Sequence, residues 1–276
     1  MRRYLNIIVV VAAFLLPQLA IAQSAELKVM SYNIRLGSAN DGTNSWVYRC
    51  GATIEMLEDQ KPDVFGVQEA LEGQVRFLKE FAEDYDYVGV GRDNGKKEGE
   101  HMAIFWNKAT VKLLKWGTFW LSETPYVPSI GWDANYARTC TWAILENKET
   151  GKQYAHFNTH LDNGGVEARK NGLDMILSRI AELDMPVVLT GDFNFSKDSE
   201  NYTTLTTQLT DVSSVALSAD SGGTAHGYGG GIGTWPIDFI CINDKVDTVK
   251  TYKIIRDKYN DRYVSDHYPI YADMVM

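Results

Sequence analysis

The chain alternates short apolar runs with polar, turn-forming segments, and the runs have the length and β-branched content of strands. Eight such runs are predicted strands, and they cover residues 27–34, 63–68, 102–106, 140–146, 153–159, 186–190, 237–242 and 268–275. Two other segments repeat apolar residues at the three-and-four spacing of an amphipathic helix. The apolar positions of these segments are Val47, Cys50, Ile54 and Leu57, and then Leu173, Ile176, Leu177, Ile180 and Leu183.

Strands outnumber helices in this pattern, and several predicted strands follow one another without a helix between them. That order favours two packed sheets with helices outside over one doubly wound parallel sheet. The pattern therefore predicts an α/β sandwich.

The first 22 residues have the pattern of a cleaved secretory signal peptide. Two arginines precede an apolar run that is too short for a comfortable membrane span, and a small-residue site, Ala20-Ile21-Ala22, precedes Gln23. No cysteine follows this site, so we expect no lipid anchor there. We expect the mature chain, residues 23–276, to be exported to the periplasm or secreted, without stable membrane insertion.

The charge balance bears on the substrate class. The formal charge is −9, and it becomes −11 without Arg2 and Arg3, because 25 Lys and Arg then face 36 Asp and Glu. Proteins that bind nucleic acid normally cluster basic residues, so DNA or RNA is a possible but not a favoured substrate. About 250 residues without a linker or repeat predict one domain, and we expect a monomer.

Three cysteines, Cys50, Cys140 and Cys241, permit at most one intramolecular disulfide. Each lies in an apolar segment, so we predict buried free thiols. A single disulfide is the alternative.

Polar residues that suit catalysis recur at the ends of the predicted strands. Singly, each has an ordinary explanation as a turn or cap residue. Drawn from so many strand ends, they predict one shared site. The set consists of Asn33, Glu69, His160, Asp192, Asn194, Asp238, Asp266 and His267.

The ordered series "SYNIR", "QEA", "EHMAIFW", "NTHLD", "TGDFN", "IDFI" and "SDHYP" resembles the endonuclease/exonuclease/phosphatase superfamily over almost the whole mature chain. This superfamily includes pancreatic-type deoxyribonuclease, inositol-phosphate phosphatases and bacterial sphingomyelinases. The resemblance implies a four-layered α/β/β/α sandwich of two mixed sheets with outer helices. It also implies divalent-metal-dependent hydrolysis of a phosphoester.

The resemblance implies a metal site at three of these residues. Glu69 resembles the main metal carboxylate, Asn33 its close neighbour at the metal, and Asp266 a ligand of the same or a second ion. Hard oxygen ligands of this kind favour Mg²⁺ or Mn²⁺.

The resemblance also implies two histidine–carboxylate pairs. His267 is similar to the histidine that works with the attacking water or grips the phosphate, and Asp238 to the carboxylate that orients its ring. His160 is similar to the second histidine, and Glu100 to its carboxylate partner.

Asp192 and Asn194 complete the predicted catalytic set. Asp192 is the candidate base that aligns or deprotonates the water, and Asn194 is expected to donate an amide hydrogen bond to the phosphate. A histidine as the base is the alternative, since spacing does not decide between them.

Three further residues are candidates for substrate binding. Arg138 resembles a phosphate-gripping arginine of the superfamily, with a surface ion pair as the alternative. His226 lies in a glycine-rich loop that could close over a ligand, with a flexible solvent loop as the alternative. Trp132 lies in an aromatic segment and is expected to line a pocket that suits a sugar, a lipid head group or a stacked base.

The predicted function is a secreted, metal-dependent hydrolase of phosphoester bonds that acts on a small phosphomonoester or phosphodiester. One alternative is a secreted nuclease for DNA or RNA. Another is a non-catalytic binding module on the same fold. Every expected catalytic position carries a suitable residue, which favours hydrolysis.

Overall fold

The structure, a computed structural model, describes residues 24–231 and 235–276. The predicted signal peptide therefore lies outside the described residues. The strands are β1 (Glu26–Asn33), β2 (Val64–Gln68), β3 (Tyr85–Val88), β4 (Ile104–Asn107), β5 (Val111–Trp120), β6 (Thr139–Asn147), β7 (Gln153–His160), β8 (Val187–Asp192), β9 (Thr210–Asp211), β10 (Ser218–Ala219), β11 (Asp238–Ile242), β12 (Thr248–Ile254) and β13 (Ile270–Val275). The α-helices are α1 (Trp46–Gln60), α2 (Glu72–Phe81), α3 (Val166–Ala181) and α4 (Glu200–Thr206).

The described strands form two mixed sheets. One has seven strands in the order β10-β12-β13-β1-β2-β4-β3, and the other has six in the order β5-β6-β7-β8-β11-β9. Most neighbours are antiparallel, but β1 pairs with β2, β7 with β8 and the short β10 with β12 in parallel. Parallel pairing matters for the site because it places the carboxyl ends of two strands at the same edge of a sheet.

Three apolar clusters divide the molecule into four layers. The first lies between the two sheets and contains Val29, Val188 and Met274. A second packs α1 and α2 against the outer face of the seven-stranded sheet, and a third packs α3 and α4 against the outer face of the six-stranded sheet. The predicted α/β/β/α sandwich of two mixed sheets is confirmed.

The predicted elements coincide with observed ones, but several observed elements were not predicted. All eight predicted strands and both predicted helices are present, whereas β3, β5, β9, β10, β12, α2 and α4 were missed. Strand β5 pairs with β6 alone and exposes lysines, so its sequence lacks the apolar run of a central strand. The two-residue strands β9 and β10 are too short to leave a pattern.

Helix α1 buries only part of the face that its apolar spacing predicts: Ile54 and Leu57 pack against the core, but the first two positions do not. Val47 is 69% exposed, and Cys50 is half-buried instead of buried. Arg49 takes the inner position, where its guanidinium donates hydrogen bonds to the carbonyl oxygens of Ile34 and Val264. A long side chain that saturates buried carbonyls can thus replace an apolar residue on the inner face of a helix.

The described cysteines are all free thiols. Cys140 and Cys241 are buried, as predicted, and burial raises the pKa of both thiols above their ordinary value. Cys50, on α1, is only half-buried and is the exception.

Strand register brings three of the candidate side chains together in the six-stranded sheet. His160 is the register partner of Asp192 across the parallel pair of β7 and β8. Asp238 faces the same Asp192 across the antiparallel pair of β8 and β11. The three residues therefore sit side by side on neighbouring strands at one edge of this sheet.

Within the described ranges, every helix is too short or too polar to cross a bilayer.

Candidate active site

A cleft of about 520 Å³ opens at the edge where these strands end. It is of the size that encloses a small molecule. The residues that line it are Arg35, Leu36, Glu69, Leu71, Arg92, Asp93, Gly99, Glu100, Tyr136, Arg138, His160, Asn163, Asp192, Asn194 and His267.

Asn33 links the two sheets at the base of this cleft. Its Nδ2 group donates to Oε1 of Glu69 over 3.0 Å and to Oδ2 of Asp192 over 2.9 Å. Its Oδ1 atom accepts from the backbone N–H of Arg35, which fixes the orientation of the amide. Asn33 thus places its amine group, and not its oxygen, beside the two carboxylates.

Asp192 is an almost completely buried carboxylate at the cleft surface, and it has two defined donors. Besides Asn33 at Oδ2, the backbone N–H of Asn194 donates to Oδ1 over 3.0 Å. Burial raises the pKa of Asp192, and the neighbouring charge of Asp238 raises it further, to about 7. A carboxyl group with such a pKa can exchange protons near neutral pH.

His160 is held by Asn194 in one tautomer. The Nδ2 group of Asn194 donates to the carbonyl oxygen of Leu161 over 2.9 Å, and it lies 2.9 Å from Nε2 of His160. Because a carbonyl oxygen can only accept, this atom must be the amine nitrogen, and Nε2 must accept its second hydrogen. His160 therefore carries its proton on Nδ1. Burial and the nearby Arg138 hold the pKa of its imidazole well below the ordinary value, so the ring is neutral.

His267 has the opposite charge state. Its Nδ1 atom lies 2.9 Å from Oδ2 of Asp238. Burial alone would lower the pKa of this imidazole, but the adjacent Asp238 carboxylate raises it to about 10. The predicted contact between these two residues is present, and it supplies a fixed positive charge at the cleft.

The second predicted pair, His160 with Glu100, is not hydrogen-bonded. Nδ1 of His160 lies 3.8 Å from Oε2 of Glu100, and that carboxylate accepts instead from Nη1 of Arg92 over 2.7 Å. Glu100 is drawn to Arg92 because a guanidinium is a permanent cation, whereas the buried imidazole is neutral. Burial raises the pKa of Glu100 above its ordinary value.

Arg138 lines the cleft and is 4% exposed. Its Nε donates to Oδ2 of Asp162, itself a buried carboxylate, over 3.1 Å. The ion pair named as the alternative is therefore present, but it is buried instead of lying at the surface, and the role of Arg138 in binding phosphate stays a prediction.

Sequence reasoning missed eight of the residues that line the cleft, and Arg35, Arg92 and Tyr136 are the largest polar ones among them. Arg35 forms a salt bridge with Asp41 at 3.0 Å. Arg92 is embedded in a polar, glycine-containing loop that gives no sign of burial. Tyr136 stands two residues before Arg138. Because residues two apart in an extended segment lie on the same side, this spacing could have indicated that Tyr136 lines the cleft.

Five predicted site residues are absent from the cleft lining; Asn33 and Asp238 bond to residues that line it, and the other three have different partners. The ring of His226 stacks on Tyr268 at 3.7 Å between centroids and accepts the N–H of Gly229, so it stabilises its own loop. Trp132 packs against the apolar cluster around α3. Asp266 pairs with Arg35 at 3.5 Å and does not join the described groups of metal-ligating side chains.

A buried polar network lies directly below the site, between the sheets. Oδ1 of Asn158 accepts from Nε2 of Gln68 over 2.7 Å and from the hydroxyl of Thr190 over 3.0 Å. Asn158 and Thr190 stand two residues before His160 and Asp192, on the same faces of β7 and β8. The network therefore fixes the spacing of the strands that carry the catalytic candidates.

The backbone leaves its usual conformations at the cleft. Arg35, Glu69 and Asn194 have φ angles of 61°, 62° and 51°, in the left-handed region that side chains disfavour. At Glu69 this conformation directs the carboxylate back toward β1, where Oε2 accepts the N–H of Leu36 over 2.8 Å. Strain of this kind persists where neighbouring contacts impose it, and it is concentrated at functional sites.

The donor set fits a divalent cation. Glu69 and Asp192 each offer one carboxylate oxygen, and these atoms lie within 4.8 Å of one another and of a ring nitrogen of His160. Both nitrogens of His160 are engaged, Nε2 by Asn194 and Nδ1 by its own proton, so the two carboxylates are the candidate ligands. The carboxylates of Glu69 and Asp192 share a single amine donor in Asn33, and the charge of Glu69 contributes to the raised pKa of Asp192. A cation beside them would relieve this repulsion, and oxygen ligands suit Mg²⁺ and Mn²⁺. Asn33 supplies hydrogen bonds to the carboxylates in this arrangement, so its predicted place as a ligand does not fit.

Comparisons with known proteins agree with this geometry. The sequence matches the Endonuclease/Exonuclease/phosphatase family over residues 30–267. A family protein from Bacteroides thetaiotaomicron is 34% identical with a TM-score of 0.87, covering 92% of this chain and 98% of that one. A mannosyl-6-phosphatase from the same organism is 33% identical with a TM-score of 0.86, covering 91% and 100%. An uncharacterised protein of Acanthamoeba polyphaga mimivirus is 29% identical over 181 residues, 61% of this chain and 67% of that protein. The chain belongs to the endonuclease/exonuclease/phosphatase family of phosphoesterases.

Proposed function

We propose that the protein is a metal-dependent hydrolase of small phosphoesters, with sugar phosphates as its substrate class. The observation that carries this proposal is the convergence of Glu69, Asp192, His160 and His267 on one cleft. A phosphoester develops negative charge on its oxygens as water attacks phosphorus, so catalysis requires positive charge at those oxygens and a base for the water. The cleft provides candidates for each requirement.

Glu69 would hold the metal ion, with water and phosphate oxygens as its remaining ligands, as is usual for Mg²⁺. When bound, Mg²⁺ or Mn²⁺ supplies positive charge to the phosphoryl oxygens. Asn33 orients Glu69 and Asp192 with its two N–H groups. His267 lines the cleft, and its Nδ1 is occupied by Asp238, so its other N–H is available to the phosphate.

Hydrogen bonding favours Asp192 as the group that takes the proton of the attacking water. Nε2 of His160 already accepts from Asn194, and His267 is an imidazolium with no free lone pair. Each carboxylate oxygen of Asp192 accepts one hydrogen bond and retains a second acceptor site. Both hydrogens of the Asn194 amide are used by His160 and Leu161, so Asn194 orients His160 instead of donating to the phosphate.

Two observations support a compact substrate. The cleft is about 520 Å³, and the chain carries a formal charge of −9, which disfavours a long polyanion. The similarity to a mannosyl-6-phosphatase, at 33% identity over 91% of this chain, supports sugar phosphates as the substrate class.

The test is a substrate comparison on purified protein. Mannose 6-phosphate, a small phosphodiester, plasmid DNA and RNA are compared at equal phosphate concentration, with Mg²⁺ and with chelator. We expect metal-dependent release of phosphate from the sugar phosphate. Efficient nicking of plasmid with a steep salt dependence, and little turnover of small esters, would instead establish a nuclease. Absence of turnover on every ester, with the fold intact, would favour a binding module.

We also propose that the protein is exported. The pattern of residues 1–22 supports this, and the test is mass spectrometry of the mature protein from cell fractions. A start at Gln23 in the exported fraction is expected, whereas full-length protein confined to the cytoplasm would contradict export.

A further inference from the structure

We propose that Arg92, Tyr136 and Arg138 form a subsite that binds the sugar part of the substrate. This inference rests on the proposed function and names the residues that distinguish a sugar phosphate from a simpler ester. It assigns Arg138 to the sugar instead of the phosphate that the resemblance implied. The three residues lie on one wall of the cleft, beside the residues assigned to the phosphate.

Tyr136 forms an exposed platform that two cations hold in place. Tyr136 is 53% exposed. The guanidinium carbons of Arg92 and Arg138 lie 5.3 Å and 5.8 Å from the centroid of its ring. Cations at this distance are attracted to an aromatic ring, so the side chain is positioned before a ligand arrives. An aromatic ring fixed at the wall of a cleft suits packing against the C–H face of a sugar.

Both arginines have hydrogen-bond donors to spare. Arg92 uses Nη1 on Glu100, and Arg138 uses Nε on Asp162. Nε of Arg92 and Nη1 of Arg138 are buried without a partner among the described residues. Unpaired buried donors are costly, and in native proteins they indicate a functional partner or bound water. Hydroxyl groups of a ligand in the cleft would supply acceptors.

The charge of the wall favours a neutral, hydroxyl-rich group over a second phosphate. Glu100 offsets Arg92, Asp162 offsets Arg138, and the carboxylate of Asp93 also lines the cleft. A second phosphate would meet the carboxylates of Asp93 and Glu100. Sugar hydroxyls can donate to these carboxylates and accept from the guanidinium groups. The wall therefore suits a sugar monophosphate better than a nucleoside polyphosphate or a nucleic-acid strand.

The test compares a phosphomonoester that contains a sugar with one that does not. For each variant we would measure kcat/KM for mannose 6-phosphate and for ethyl phosphate, and take their ratio. Tyr136→Ala should lower this ratio by about tenfold, mainly through KM for the sugar phosphate. Tyr136→Phe should retain most of it. Tyr126→Ala is the matched control, because Tyr126 is 81% exposed in the same loop but lies outside the cleft lining.

An unchanged ratio in Tyr136→Ala, or equal losses on both esters, would overturn the subsite and leave phosphoester hydrolysis standing. Absence of turnover of both esters by the wild-type protein would count against the proposed function instead. In that case calorimetric binding of the phosphonate analogue of mannose 6-phosphate and of ethylphosphonate decides the subsite. A binding ratio that falls in Tyr136→Ala supports it, and an unchanged ratio overturns it.

Discussion

Asn194 donates a hydrogen bond to Nε2 of His160 across 2.9 Å, and this contact determines which ring nitrogen carries the proton. Asn194→Ala removes the donor and should leave a mixture of the two neutral tautomers. We expect kcat to fall by about tenfold to a hundredfold, the range found when a hydrogen-bonding partner of a site residue is removed. The ¹⁵N chemical shifts of the imidazole report the tautomer directly. Asn171→Ala, on α3 and outside the cleft, is the control, and an unaltered His160 spectrum in Asn194→Ala would contradict this role.

Asp192→Asn tests the assignment of the base. The substitution preserves shape and removes the group that accepts the proton of water, so kcat should fall by about a hundredfold to ten-thousandfold. Thermal melting checks that the fold is retained. Asp184→Asn, at an exposed site, is expected to act like the wild type. Turnover of Asp192→Asn at the parental rate would show that another group takes the proton.

Double-mutant cycles distinguish the two histidine–carboxylate arrangements. Asp238→Asn and His267→Ala should be strongly non-additive in kcat/KM, because the residues act through one hydrogen bond of 2.9 Å. Glu100→Gln and His160→Ala should be nearly additive, since their polar atoms lie 3.8 Å apart and Glu100 is bonded to Arg92. Strong coupling of Glu100 with His160 would restore the pairing that the resemblance implied.

The positions of the catalytic candidates were predictable because each follows a strand with a clear apolar pattern. Asp192, His160 and Asp238 belong to such strands, and register then places them together. The pairing of Asp238 with His267 was predictable from the resemblance, but the partners of Asp192 and His160 were not. Asn33 was assigned to the metal and Asn194 to the phosphate, but the orientation of an amide depends on carbonyl and carboxylate groups that are distant in sequence.

Cleft residues supplied by loops escaped prediction for a similar reason. Arg92 lies in a loop rich in charge and glycine, and its contacts come from residues distant in sequence: Trp120 donates a hydrogen bond to its carbonyl oxygen, and its guanidinium lies over the ring of Tyr136. Conversely, His226 and Trp132 had the residue types expected of a binding site, but their rings found partners within the protein. Residue type alone does not determine whether a loop side chain points into the cleft or packs within the protein.

Metal dependence is expected to appear in binding as well as in activity. Chelation should abolish turnover, and Mg²⁺ or Mn²⁺ should restore it. Added Mg²⁺ should also raise the melting temperature, because an ion that binds the folded state stabilises it. Glu69→Gln should lose most of this thermal shift, whereas Glu72→Gln, on α2 and outside the cleft lining, should keep it. Full turnover in excess chelator after dialysis would show that the reaction does not depend on a metal ion.

Asp162 is expected to make stability depend on acid pH. Burial would raise the pKa of Asp162, but hydrogen bonds from the backbone N–H groups of Gly165 and Gly164 and from Arg138 lower it below its ordinary value of 3.8. A carboxyl group with a depressed pKa in the folded state stabilises the protein above its unfolded pKa, and this contribution is lost as pH falls through the folded pKa.

Asp162→Asn should therefore lower the melting temperature most at pH 6 to 7, and the difference from wild type should shrink below about pH 4. Asp174→Asn, on the exposed face of α3, controls for the change in net charge. A difference that stays constant down to pH 3 would show that the effect of Asp162 is not electrostatic.

The network around Asn158 has a consequence for redesign of this protein. An alanine Cβ at Gly66 would lie 2.4 Å from Oδ1 of Asn158 and 2.5 Å from Oγ1 of Thr190, so even a methyl group must displace these side chains. The opposite end of the inter-sheet core is apolar and would accept volume-conserving exchanges at modest cost. Transfer of this site to another protein would therefore require Gly66, Asn158 and Thr190 to be kept together, whereas the apolar end tolerates substitutions that conserve volume.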